Sequence, residues 1–100
     1  MIHPGPVLGY TDGIVEPSAR LATDLRDALL ARGFTPSTYL GVDGLNQRTD
    51  LGTLNHARVP VVLVETGNMR NPADAALLTS PDGWRRLSLA LSDGLVDYFG

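Results

Sequence analysis

Val59-Pro60-Val61-Val62-Leu63-Val64 is an unbroken apolar run rich in β-branched residues, and Glu65 follows it directly. β-branched side chains fit the pleated surface of a sheet, and a run without polar alternation is the pattern of a strand buried on both faces. Pro60 is compatible with such a strand only near its first residue, where the missing N–H breaks little of the ladder. Everything else in the 100 residues is read as support for, or cover over, this one strand.

Upstream, Pro17 stands at a first helical position, and Leu21, Leu25, Ala28 and Leu29 follow at helical spacing before Gly33. This predicts an amphipathic helix from about Pro17 to Arg32, with Arg20, Asp24, Arg26 and Asp27 as solvated charges on its polar face. Before it, Met1 to Val15 mixes an apolar patch at Val7 and Leu8 with a turn at Asp12-Gly13, the pattern of a loop or edge strand. Between Phe34 and Asn55 the turn signals Gly41, Asp43-Gly44 and Gly52 recur, with a short strand expected near Thr38 to Val42. A stretch of that length is expected to be functional or partly structured.

Downstream, Asn71-Pro72-Ala73-Asp74 reads as an N-cap, a proline in the first turn and an acid at the positive end of a helix that closes near Thr79. Ser80-Pro81-Asp82 repeats the signal and opens a last helix running to about Phe99. Trp84, Leu87, Leu91, Leu95 and Tyr98 fall on one stripe of that helix and are expected to form core. A helix, an apolar strand and two further helices argue for an α/β fold with a parallel or mixed sheet flanked by helices. Only one strong strand is visible, too few for a sheet of that kind, so the chain is expected to be a portion of a larger domain.

Composition narrows the function. The net charge is -3 and all eight basic residues are arginine, scattered apart from Arg85-Arg86, so there is no basic stripe for nucleic acid. Cysteine is absent, which excludes thiolate metal sites and a cysteine nucleophile. No apolar stretch is long enough to span a membrane, and the opening Pro4-Gly5-Pro6 is not a signal-peptide pattern. Glu65 draws the eye by position, because in open α/β sheets ligands bind outside the carboxyl ends of the strands. Half-burial there would disfavour its charge and raise its pKa toward the useful range for a general base or acid. Position alone leaves open a glutamate that only hydrogen-bonds the Gly67 to Asn71 turn.

The run Val61-Val62-Leu63-Val64-Glu65-Thr66-Gly67-Asn68-Met69-Arg70-Asn71-Pro72-Ala73-Asp74-Ala75-Ala76-Leu77-Leu78 resembles the C-terminal signature of the amidase type 3 family, the zinc-dependent N-acetylmuramoyl-L-alanine amidases. Gly44 to Asn55 is similar to the segment that actinobacterial members carry upstream, and weaker agreement extends back to Pro17. The resemblance implies that residues 1–100 form the C-terminal portion of one amidase catalytic domain of three-layer architecture. It implies hydrolysis of the amide between the lactyl group of N-acetylmuramic acid and the L-alanine of the stem peptide, with Glu65 as catalytic general base and acid. It also implies a muramoyl-peptide partner in the cell wall, outside the cell, and a zinc ion that activates the attacking water.

The family's zinc ligands are two histidines and a glutamate in a Gly-His-Gly-type loop, the helix after it and a Ser-x-His segment, and none of these motifs occurs here. His3, His56 and Glu16 match no ligand position and share no spacing signature, so this chain is expected to contribute no metal ligand. Asn68, Arg70 and Arg48 are weaker candidates for substrate contact, the arginines because a guanidinium suits bidentate carboxylate recognition. Many members have an aromatic residue after the glycine, where Asn68 stands here. An alternative follows: a catalytically incomplete chain that binds cell-wall peptide or a partner without hydrolysis. An uncovered strand edge would also favour self-association or low stability.

Overall fold

The computed structural model describes residues 1–35, 41–67 and 70–100. Its elements are β1 (Ile2–Pro4), α1 (Val15–Ala31), β2 (Asn46–Arg48), α2 (Gly52–Asn55), α3 (Pro72–Leu78) and α4 (Pro81–Phe99). β1 and β2 pair in parallel, with Ile2 opposite Asn46 and Pro4 opposite Arg48. On the other side of β1, Ile2 and Leu63 exchange both backbone hydrogen bonds at 2.8 Å, an antiparallel bridge. The sheet is therefore mixed, as expected. β1 lies at its centre and not at an edge: Ile2, His3 and Pro4 are all buried.

Helix α1 begins two residues before the expected start, so Pro17 falls in its first turn, where its missing N–H costs nothing. Its end follows from Gly33 at φ +85°, since Gly33 N–H donates to the Leu30 carbonyl and Phe34 N–H to the Leu29 carbonyl. That pair of bonds is the Schellman arrangement, and it needs a left-handed residue where glycine stands. Leu21, Leu25 and Ala28 are buried as the periodicity requires, joined by Ala22 at 0% exposure. Arg26, read as a solvated charge, is half-buried.

Helices α3 and α4 open as predicted. The Asn71 side chain accepts from the N–H groups of Ala73 and Asp74, and the Ser80 hydroxyl accepts from Gly83 N–H. The core face of α4, however, is not the large-residue stripe. Gly83, Ala90 and Gly94 are its buried residues, while Trp84 and Leu95 are 54% and 44% exposed. Close approach of the neighbouring helices is the cause: a Cβ on Gly94 would sit 2.8 Å from the Cα of Leu25 in α1, and one on Gly83 would strike the Leu77 carbonyl of α3. Only small side chains fit at that line, and the large ones are displaced to its flanks.

The segment from Val59 to Val64 departs furthest from expectation. It forms no regular strand beyond the bridge at Leu63, and Val59 and Leu63 are 66% and 46% exposed, with the residues between them half-buried. A regular strand inside a sheet needs hydrogen-bonded neighbours along its edges, and among the described residues the short β1 is the sole one. The Val61 N–H donates instead to the Ser18 hydroxyl of α1 at 2.9 Å, which ties the run to the helix beneath it. Between Gly41 and Asn55 the chain is structured by β2 and α2, neither of which the turn signals revealed. Asp43 and Gly44, at φ 54° and 78°, make a tight turn closed by paired hydrogen bonds between Val42 and Leu45. The strand expected from Thr38 lies, up to Leu40, outside the described residues.

Candidate functional site

Because the Leu63 bridge fixes the direction of the apolar run, the chain emerges with Glu65 and Thr66 at the start of β1, beside Met1. A pocket opens there, walled by Glu65 and Thr66, by Arg26 of α1, and by the apolar side chains of Leu29, Phe34, Val64 and Leu87. Glu65 is exposed and not half-buried, because no described residue covers the end of the run. The Met1 amino group donates to the Gly44 carbonyl at 3.1 Å; burial pulls its pKa below 8.0, and the charge of Glu65 opposes that shift. After Glu65 the backbone is pressed onto α3, where a Cβ on Gly67 would lie 3.1 Å from Leu78 Cδ1 and 3.3 Å from Asp74 Cβ. A side chain at Gly67 would require the Leu78 and Asp74 side chains to give way by a few tenths of an ångström.

The expected contact residues are brought together only in part. Arg48 holds Asp50 in a two-point pair, with Nε donating to Oδ1 at 2.8 Å and Nη2 to Oδ2 at 2.6 Å. That hydrogen bonding raises the Arg48 pKa and lowers that of Asp50, and Glu65 adds a smaller raising effect on Arg48, so the two are in electrostatic reach. Arg70 is exposed just ahead of α3. Asn68 lies outside the described residues. Two side chains, Arg26 in the pocket wall and Ser18 anchoring the run that leads to Glu65, escaped the sequence reading. Arg26 was assigned to solvent, although Leu29 and Leu30 stand three and four residues on, on its own face of the helix. Ser18 sits in a first turn where a hydroxyl is unremarkable, and nothing local announces its bond to Val61.

Zinc does not fit the described residues. His3 is buried in β1, and no second metal donor accompanies it among the described residues. His56 packs edge-on against the Tyr10 ring at 5.5 Å. Glu16 is in the first turn of α1. No group of three His, Cys, Asp or Glu side chains that could hold a metal gathers among the described residues. Nor is any helix among them long and apolar enough to cross a membrane.

This arrangement has close parallels. Residues 8–97 match the Amidase_3 family of N-acetylmuramoyl-L-alanine amidases. The chain is 45% identical over 82 residues to the N-acetylmuramoyl-L-alanine amidase Rv3717 of Mycobacterium tuberculosis, covering 82% of this chain and 34% of that protein. Among solved structures, apo Ami1 of Mycobacterium abscessus, an N-acetylmuramyl-L-alanine amidase, superposes with a TM-score of 0.89 at 43% identity, over 99% of this chain and 46% of that one. Ami1 of Mycobacterium smegmatis gives 0.90 at 41% identity, over 99% and 45%. The chain thus spans less than half the length of these relatives. With nine-tenths of its residues inside the family match and the fold shared almost throughout, the chain belongs to the N-acetylmuramoyl-L-alanine amidase family.

Proposed function

We propose that residues 1–100 are the C-terminal portion of a peptidoglycan amidase domain and supply its catalytic carboxylate, Glu65, for cleavage of the lactyl-L-alanine amide. The observation that carries this reading is the placement of Glu65: it stands accessible at the carboxyl end of the apolar run, on the wall of a pocket, in a chain of this family. In that role the Glu65 carboxylate takes a proton from a water as the water oxygen attacks the lactyl carbonyl carbon. The tetrahedral intermediate then collapses, the C–N bond breaks, and the Glu65 carboxyl returns the proton to the leaving alanine amine. Asn68, Arg70 and Arg48 are proposed to meet the carboxylates of the stem peptide, with Arg48 exchanging its bond to Asp50 for one to substrate. The zinc of the family's domain is then held by groups outside the described residues. Cell-wall peptidoglycan is the proposed substrate and site of action.

A second reading, peptide binding without hydrolysis, accords with the lack of a cluster of metal-binding side chains among the described residues. Replacing Glu65 by Gln separates the two. The substitution keeps size and hydrogen bonding and removes the base. Loss of turnover on an N-acetylmuramoyl-L-alanyl peptide with binding retained supports the catalytic reading, and binding without turnover in both forms supports the second.

A further inference from the structure

Among the described residues Arg26 is the one guanidinium in the wall of the pocket beside Glu65, and its side chain is only 21% exposed. Its position is fixed. Nε donates to Asp27 Oδ1 at 3.0 Å, Nη2 lies 2.9 Å from the same oxygen, and Nη1 donates to the Asp43 carbonyl at 3.2 Å. A single carboxylate oxygen therefore occupies the Nε side of the group. Guanidinium carries five N–H donors, so Nη1 and Nη2 each keep one more N–H beyond these bonds among the described residues. Each of these N–H groups is a charged donor suited to a carboxylate oxygen. The adjoining floor is apolar, built from Leu29, Val64, Leu87 and Phe34, whose ring is held in place by the Arg86 guanidinium at 5.2 Å. A ligand group with a short methylene stem and a terminal carboxylate matches both surfaces.

We infer that Arg26 is a specificity-determining residue that pairs with a carboxylate on the stem-peptide residue following the alanine, while that residue's methylenes lie on Leu29 and Phe34. The inference rests on the proposed reading of Glu65, since it places the scissile amide at that end of the pocket. The pocket so built distinguishes a stem peptide with a free carboxylate from one in which that group is amidated.

The test is calorimetric titration of a chimera in which residues 1–100 replace the aligned 46% of Mycobacterium abscessus Ami1, carrying Glu65→Gln so that the ligand is not cleaved, with N-acetylmuramoyl-L-alanyl-D-glutamate and with the same compound amidated at the glutamate α-carboxylate. With Arg26 in place the chimera is expected to bind the acid about three- to tenfold more tightly than the amide, a modest factor because Arg26 is partly solvated. Arg26→Gln is expected to abolish or reverse that preference. Arg26→Lys, which keeps the charge on a single ammonium, retains part of the preference and guards against a folding defect. Equal binding of both compounds with Arg26 in place, or an undiminished preference in Arg26→Gln, overturns the role of Arg26 while leaving the amidase reading intact. Binding of neither compound overturns both.

Discussion

The two sides of this molecule use the same apolar residues to opposite ends. Between α1 and α4, Leu25 is 4% exposed and Ala22 and Ala90 are fully buried, with Gly94 drawn so close that a methyl group would strike the Leu25 backbone. Across β1, the run that reads as the most buried segment of the sequence leaves Val59 66% and Leu63 46% exposed. The helix pair is complete within the chain, each stripe meeting its partner, whereas the run has α1 and one bridge to hold it and nothing on its outer edge among the described residues. A hydrophobic pattern thus states what a segment is built to be buried by, and not whether the burying partner is supplied by the same stretch of chain. The open side is also the side where Glu65 emerges.

That contrast is most sharply tested by one substitution made twice. Leu25→Ala is expected to cost about 2–5 kcal/mol, the range for emptying a closed core site. Leu63→Ala, at a half-exposed position, is expected to cost less than about 1 kcal/mol in the same denaturant titrations. Equal losses would mean that the run is packed as firmly as the helix pair. The tie between the two sides comes next in size. Ser18→Ala leaves the half-buried Val61 N–H without its acceptor and should destabilise the chain by about 1–2 kcal/mol. It should also speed amide hydrogen exchange from Val61 to Leu63, and exchange unchanged there would show that the serine does not anchor the run. The gentlest probe is pH. Burial, with the nearby N-terminal charge a smaller cause, holds the His3 pKa below its ordinary 6.5. The unfolded chain therefore binds this proton more readily than the folded one. Stability from His3 is complete above the ordinary histidine range and is lost as pH falls through 6.5 toward the lowered value. His3→Phe should flatten that part of the stability profile, and a profile identical to the native one would remove His3 as the cause.

What could be read from the sequence was what is local. Asn71 and Ser80 announce their helices because a cap acts within three residues, and the end of α1 is legible in Gly33 because a left-handed residue is required there. Glu65 is legible from its place after the run and from the resemblance of the surrounding residues to the family. Long-range matters were not legible. The large-residue stripe of α4 obeys helical spacing perfectly well, and only the approach of α1 shows that the small face is the buried one. β1 looked like an edge because its partners are about 44 and 61 residues away. Arg26 looked solvated because helix periodicity records which face is polar but not what folds over that face, here the turn at Asp43, whose carbonyl accepts from Arg26.

The role of Glu65 is tested most directly in a chimera in which residues 1–100 replace the aligned 46% of Mycobacterium abscessus Ami1, so that the rest of an amidase domain is present. Turnover of an N-acetylmuramoyl-L-alanyl peptide would be measured with Glu65 and with Glu65→Gln. The account predicts a fall in kcat of about 10²–10⁴-fold, the usual contribution of a general base and acid, with binding of the peptide unchanged. Equal turnover by the two chimeras would contradict it and leave Glu65 as a residue of the turn alone.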